Sequence, residues 1–392
     1  MASSGAAQPL EEQTLPFFHQ KHYYPVSIGE ILNNRYRIIA KLAYPITSSS
    51  SPTLLTWFRL KQYASLKICV GDNNKESPVL NEVAMLQRLS RFAQEGDHPG
   101  LEFTRLAQDI FQLESPTGSH YCIATKPQGA SIRILQEVFP NAVLPKLLVK
   151  SLIHRLFLSV NWLHATCGLI HTDISPQNVL MDLEDDSSLK DTEDEESQDP
   201  STPIMSQGAP IYRSRTPMLE LSGIPILTDF GQVRPAEPGN HDWWMSDLYR
   251  APEVLLQLPW SFPVDIWSIG VMTLELLEGK NLFDPVDRTN DQYVLPLALA
   301  QYIGYLGPPP LEIIQQSPLF STYFDERGNW ISDPPIPQTS LEDFVTTIPP
   351  GTEKDAFLRL IPRILTWDPE VRATSVEIIP DEWLMKPWEE EF

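Results

Sequence analysis

The segment His171-Thr-Asp-Ile-Ser-Pro-Gln-Asn178 sets a carboxylate and, five residues on, a carboxamide in one short polar stretch. Asp173 can stand near an attacking hydroxyl while the Asn178 oxygen ligates a divalent metal, the division of labour that phosphoryl transfer requires. Pro225-Ile-Leu-Thr-Asp-Phe-Gly231 reads as an apolar strand that delivers Asp229, a second candidate for Mg²⁺, and then a glycine for a sharp turn. Alone, the first segment also reads as a polar loop after a helix and the second as an ordinary turn. Their order along the chain narrows the reading. Lys67 lies in a strand pattern and Glu82 in the helical pattern that follows; Asp173, Asn178 and Asp229 come next, and then Tyr249-Arg-Ala-Pro-Glu253.

These residues need elements to carry them. Tyr36, Ile38, Ala40 and Leu42 alternate with the period of a half-buried strand, and Tyr63–Val70 and His120–Thr125 read as two more. Val79, Val83 and Leu86 recur at helical spacing, so the first third is a small sheet with at least one helix. The remainder reads as mainly helical. Leu148, Leu152, Leu156, Val160 and Leu163 mark one helix face, and Val264–Glu278 is apolar on most sides and stops at Gly279, as a buried helix with a glycine cap does. Residues 182–199 hold ten acidic residues and one lysine and are expected to form a solvated, disordered loop.

The order of these residues matches the protein-kinase signature set. The chain resembles a eukaryotic-type protein kinase, and most of all the SR-protein-kinase-like serine/threonine kinases of fungi. Tyr23–Glu30, Asn34–Tyr36, Ile211–Arg215, Asp247–Val254, Val264–Trp267, Leu306–Pro310, Phe324–Trp330 and Thr366–Arg372 carry that resemblance. It implies an α+β bilobal fold: an N-terminal extension at 1–34, then a kinase domain at 35–392, with a small β-rich lobe at about 35–126 and a larger helical lobe at about 127–392. An acidic insertion at about 182–222 falls within the second lobe. The resemblance further implies ATP and Mg²⁺ as nucleotide and metal. Lys67 would hold the α- and β-phosphates, oriented by Glu82. Asp173 would deprotonate the acceptor hydroxyl, and Asn178 and Asp229 would hold the metal. The hinge near Thr125, Lys126 and Gln128 would grip adenine through its backbone. Asp265 would hydrogen-bond the catalytic-loop backbone, and Glu253 would pair with Arg372.

Departures from the family pattern keep a second reading open. Ala43 and Pro45 stand where glycines would let backbone amides approach phosphates, and Pro45 has no N–H to offer. Ser175 replaces a lysine that would contact the transferring phosphate, and Ser65 replaces an alanine that packs on adenine. A pseudokinase scaffold with little or no phosphoryl transfer is the alternative. Thr172 stands where many kinases carry an arginine that receives an activation-loop phosphate. Ser246 matches the hydroxyl that bonds the catalytic aspartate in serine/threonine kinases, so no activation-loop phosphorylation is expected.

Composition bounds the rest. The chain has 392 residues, 37 of them proline, and a net charge of −22. Such a charge repels nucleic acid and favours basic protein partners, and the family resemblance implies that these substrates are Arg/Ser-rich. Three cysteines, Cys69, Cys122 and Cys167, without C-x-x-C spacing, speak for buried thiols in a reducing compartment. No signal-peptide pattern or membrane-length apolar run is apparent, so an intracellular protein of the cytoplasm, the nucleus or both is expected, monomeric by default.

Overall fold

The computed structural model describes residues 23–43, 53–58, 62–71, 77–116, 118–206, 209–215, 219–236 and 239–388. The chain divides into two compact units. The first takes the residues up to Gln94, Arg105–Ala130 and Met181–Ser222; the second takes Glu95–Thr104, Ser131–Leu180 and Gly223 onward. The sequence boundary near 126 thus falls at Ala130. The acidic insertion groups with the first unit, not with the second as its position along the chain suggested. Most of the loop expected around Pro45 lies outside the described residues.

The first unit is built on an antiparallel sheet in the order β1-β2-β3-β4-β6-β5. Its strands are β1 (Ile31–Leu32), β2 (Tyr36–Ala43), β3 (Thr53–Phe58), β4 (Gln62–Ile68), β5 (Ala107–Ser115) and β6 (Gly118–Thr125). Tyr36, Ile38, Leu54, Leu66, Ile68 and Cys122 form the core of one face, joined by Val26 and Leu32. Residues 23–34, read as part of an extension, therefore supply a strand and core side chains. A register shift between Ile38 and Ala40 breaks the strict alternation of β2, which lets three consecutive residues, Ile38, Ile39 and Ala40, all be buried. Helix α1 (Pro78–Glu95) presents one buried stripe of Glu82, Val83, Leu86 and Leu89.

The insertion is not a disordered loop. Ser187–Gln198 is a helix, followed by a hairpin of Ile204–Ser206 with Ala209–Ile211. Composition misled because a few residues decide the outcome. Leu189, Thr192 and Glu196, at spacings of three and four, are buried, and Leu183 and Leu189 pack on Ile39 and Ala40 of β2.

The second unit is helical. Lys146–Asn161 buries Val149, Leu152, Ile153, Leu156, Phe157 and Val160. Pro263–Glu278 is buried from Val264 to its end and stops at Gly279, whose φ of 66° only glycine adopts freely. Within that helix Gly270 admits close packing, for a Cβ there would collide with the Ile364 side chain. The three cysteines are free and buried. Among the described residues no helix is long and apolar enough to cross a membrane.

Candidate active site

In the first unit, Lys67 points from β4 to Glu82 on α1, with Nζ 2.8 and 3.0 Å from the two carboxylate oxygens. Glu82 is buried because it sits on the apolar stripe of α1; the ion pair is what allows a carboxylate there. Thr125 closes β6 opposite Ser65 of β4. Beyond it the side chains of the expected hinge are already engaged. Lys126 Nζ lies 2.9 Å from both oxygens of Asp182, and Gln128 Oε1 accepts from Arg105 Nε at 3.0 Å. The Lys126 ammonium and the Gln128 carboxamide oxygen are thus committed to Asp182 and Arg105.

In the second unit, Asp173 is held at both oxygens. Ser246 donates its hydroxyl to Oδ1, and the Asn178 amide nitrogen donates to Oδ2 and to the Asp173 carbonyl, each at 2.8 Å. With its nitrogen so used, Asn178 keeps its carboxamide oxygen for a cation. Thr228 donates its N–H and its hydroxyl to the Asn178 carbonyl, each at 2.9 Å. That tie sets Asp229, the next residue, beside Asn178 in the fold. Asp229 has a left-handed backbone, φ 63°, and accepts from the Gly231 N–H at 3.3 Å. Burial pushes the Asp173 carboxyl above the usual carboxylate range. The neighbouring Asp229 adds to the shift, and Ser246, His171 and Asn178 oppose it.

The loop itself is fixed from below. Asp265 is completely buried and accepts the backbone N–H groups of His171 and Thr172 at 2.7 and 2.8 Å, with His164 Nε2 at 2.8 Å. His171 Nε2 faces the Thr228 carbonyl at 2.9 Å and so carries the proton, while its Nδ1 accepts from Asp173 N–H.

The protein kinase domain family matches residues 67–384 of this chain. A serine/threonine protein kinase of Aspergillus fumigatus is 32% identical over 97% of this chain and 92% of its own length. The chain belongs to the protein kinase family, among its serine/threonine enzymes. More distant relatives include the serine/threonine-protein kinase SRPK of Physarum polycephalum, 26% identical over 95% of this chain and 91% of its own. Protein kinase dsk1 of Schizosaccharomyces pombe is 23% identical over 81% and 74%. The fold described above is the bilobal kinase fold.

Other features of this kinase fit its family. Glu253 and Arg372 form a fully buried two-point ion pair at 2.7 and 2.8 Å. Ser175, which stands where the family pattern has a lysine, is buried. A pocket of about 310 Å³ opens at Asp173, lined by Thr172, Gln232, Trp243, Trp244, Met245, Ser246 and Arg250. Its cation, Arg250, is occupied by the carbonyls of Trp244 and Met245 and by Asp247.

Sequence reading missed how Thr172 is used. With φ at 69°, it donates its hydroxyl to the Gln232 carbonyl and accepts from the Trp244 indole N–H, each at 2.9 Å. Neutral hydrogen bonds thereby tie the catalytic loop to the segment after Asp229. No local pattern announces such a tie; Trp244, 72 positions away, carries no motif of its own.

Proposed function

We propose that this kinase transfers the γ-phosphate of ATP to serine and threonine hydroxyls of basic, Arg/Ser-rich protein substrates. The observation that carries the reading is the double hold on Asp173, by Ser246 and by Asn178, which aims one desolvated carboxylate at an incoming hydroxyl. Lys67, oriented by Glu82, holds the α- and β-phosphates, and the backbone from Thr125 through Lys126 to Gln128 grips adenine. Asn178 and Asp229 offer hard oxygen donors. Two protein ligands suit Mg²⁺, which keeps waters and substrate phosphates for its remaining positions. When bound, the metal neutralises phosphate charge. The acceptor oxygen attacks the γ-phosphorus as its bond to the β–γ bridging oxygen breaks. Its proton passes to Asp173, and ADP leaves.

Two observations support basic substrates: the net charge of −22 and the relative named SRPK. The neutral tie at Thr172 supports activity without activation-segment phosphorylation.

The test is phosphorylation of an Arg/Ser-rich peptide and of an acidic Ser-containing peptide, before and after phosphatase treatment of the enzyme. Wild type should prefer the basic peptide and survive the phosphatase. Asp173→Asn should lose about 10³-fold in kcat with an unchanged melting temperature. Equal use of both peptides would refute the substrate class, and full activity in Asp173→Asn would refute the assigned base.

A further inference from the structure

The insertion is the part of the chain that catalysis leaves unused. β1 covers β2 at Tyr36 and Arg37, and Gly29 and Glu30 reach as far as Ile38, while β3 follows the other edge of β2 to Ala43. The chain leaving the insertion hairpin takes up the edge where that cover stops. Arg215 N–H donates to the Lys41 carbonyl at 2.8 Å, and the buried Lys41 donates its Nζ to the Tyr212 carbonyl at 2.9 Å. Over the adjoining face Leu183 and Leu189 pack on Ile39 and Ala40, flanked by Leu42 and Tyr63. A further polar tie fastens the insertion helix to the sheet, and others brace the insertion within itself. The Tyr63 hydroxyl donates to Glu193 at 2.6 Å. Arg215 Nε donates to Glu196 at 2.8 Å, and the buried Glu196 also takes the N–H and hydroxyl of Ser201 at 2.7 Å each.

β2 runs directly into the segment expected to wrap the nucleotide phosphates, in which Ala43 and Pro45 replace glycines. A segment with fewer close amides depends more on how its strands are held. We propose that the insertion is a strap that positions β2 for nucleotide binding, with Arg215, Glu196 and Lys41 as positioning residues. The proposal rests on the reading that the first unit holds ATP. It is separable from the other use an acidic insertion has, docking of basic substrates, in a measurable way: a strap sets affinity for the nucleotide, a docking site affinity for the acceptor peptide.

The test is steady-state kinetics with varied ATP and varied Arg/Ser-rich peptide, together with calorimetric titration of Mg-ADP, on wild type, Arg215→Ala and Arg215→Lys. Arg215→Ala should raise the KM for ATP and the Kd for ADP about tenfold, leaving kcat and the peptide KM within about twofold. Arg215→Lys, which keeps a charged donor for Glu196, should recover part of the loss. An unchanged KM for ATP, or a rise confined to the peptide KM, overturns the strap. Should Arg215→Ala not fold, amide hydrogen exchange of wild type decides. Protection of the Arg215 N–H equal to that of the β2–β3 ladder supports the strap, and exchange at the rate of an open loop overturns it. A wild type that binds no Mg-ADP, with Arg215 protected, defeats the nucleotide reading first and removes the strap's role with it.

Discussion

Carboxylates in two regions of this kinase are held in opposite ways. Under the catalytic loop one carboxylate, Asp265, has left water entirely and is repaid by two backbone N–H groups and an imidazole. In the insertion, ten carboxylates are strung along 182–199; Asp182 and Glu193 meet Lys126 and Tyr63 outside the insertion, and Glu196 meets Arg215 within it. Burying an ion without donors costs several kcal/mol, so the first arrangement tolerates no loss. A solvated acid contributes about 0 to 1 kcal/mol, so most of the second is replaceable. The number of charges in a segment therefore says little about how firmly it is held; what matters is which of them are desolvated and by whom they are met.

The contrast can be broken at both ends. Asp265→Ala should cost about 4 kcal/mol in urea unfolding, because two buried N–H groups lose their acceptor, and kcat should fall with it. An intact melt would mean that the loop has another anchor. Leu189→Ala, which removes the apolar contact of the insertion helix with β2, should cost about 3 kcal/mol. The loss should appear as early hydrogen exchange in the first unit with the second unchanged; equal exchange in both would deny that the insertion belongs to the first. Glu195→Gln, on the exposed side of the same helix, should change stability by less than about 0.5 kcal/mol, and a larger loss would show that the outer acids also matter.

What could be read from the sequence follows the same division. The catalytic loop and the Asp229 turn were legible because their chemistry is packed into a few contiguous residues, and the structure sets Asp173, Asn178 and Asp229 around one another. Lys67 and Glu82 were legible because period-two and period-3.6 patterns frame them. β3 and β5 went unread: β3 follows a Ser-rich run, and β5 mixes Gln108, Asp109 and Gln112 with its apolar residues, blurring the alternation. In the insertion, net charge argued for disorder while Leu189, Thr192 and Glu196 held the opposite signal at helical spacing. The family resemblance places the expected hinge near Lys126 and Gln128; that their side chains pair with Asp182 and Arg105 depends on long-range pairing that no local pattern records.

The link between Thr172 and Trp244 has a consequence for control. The link contains no phosphate for a phosphatase to remove, and the Thr172 hydroxyl that makes it is buried, away from the active site of an upstream kinase. On the activity proposed above, the enzyme needs no phosphate to complete this link, and its output then follows how much protein is present and when its substrates come within reach.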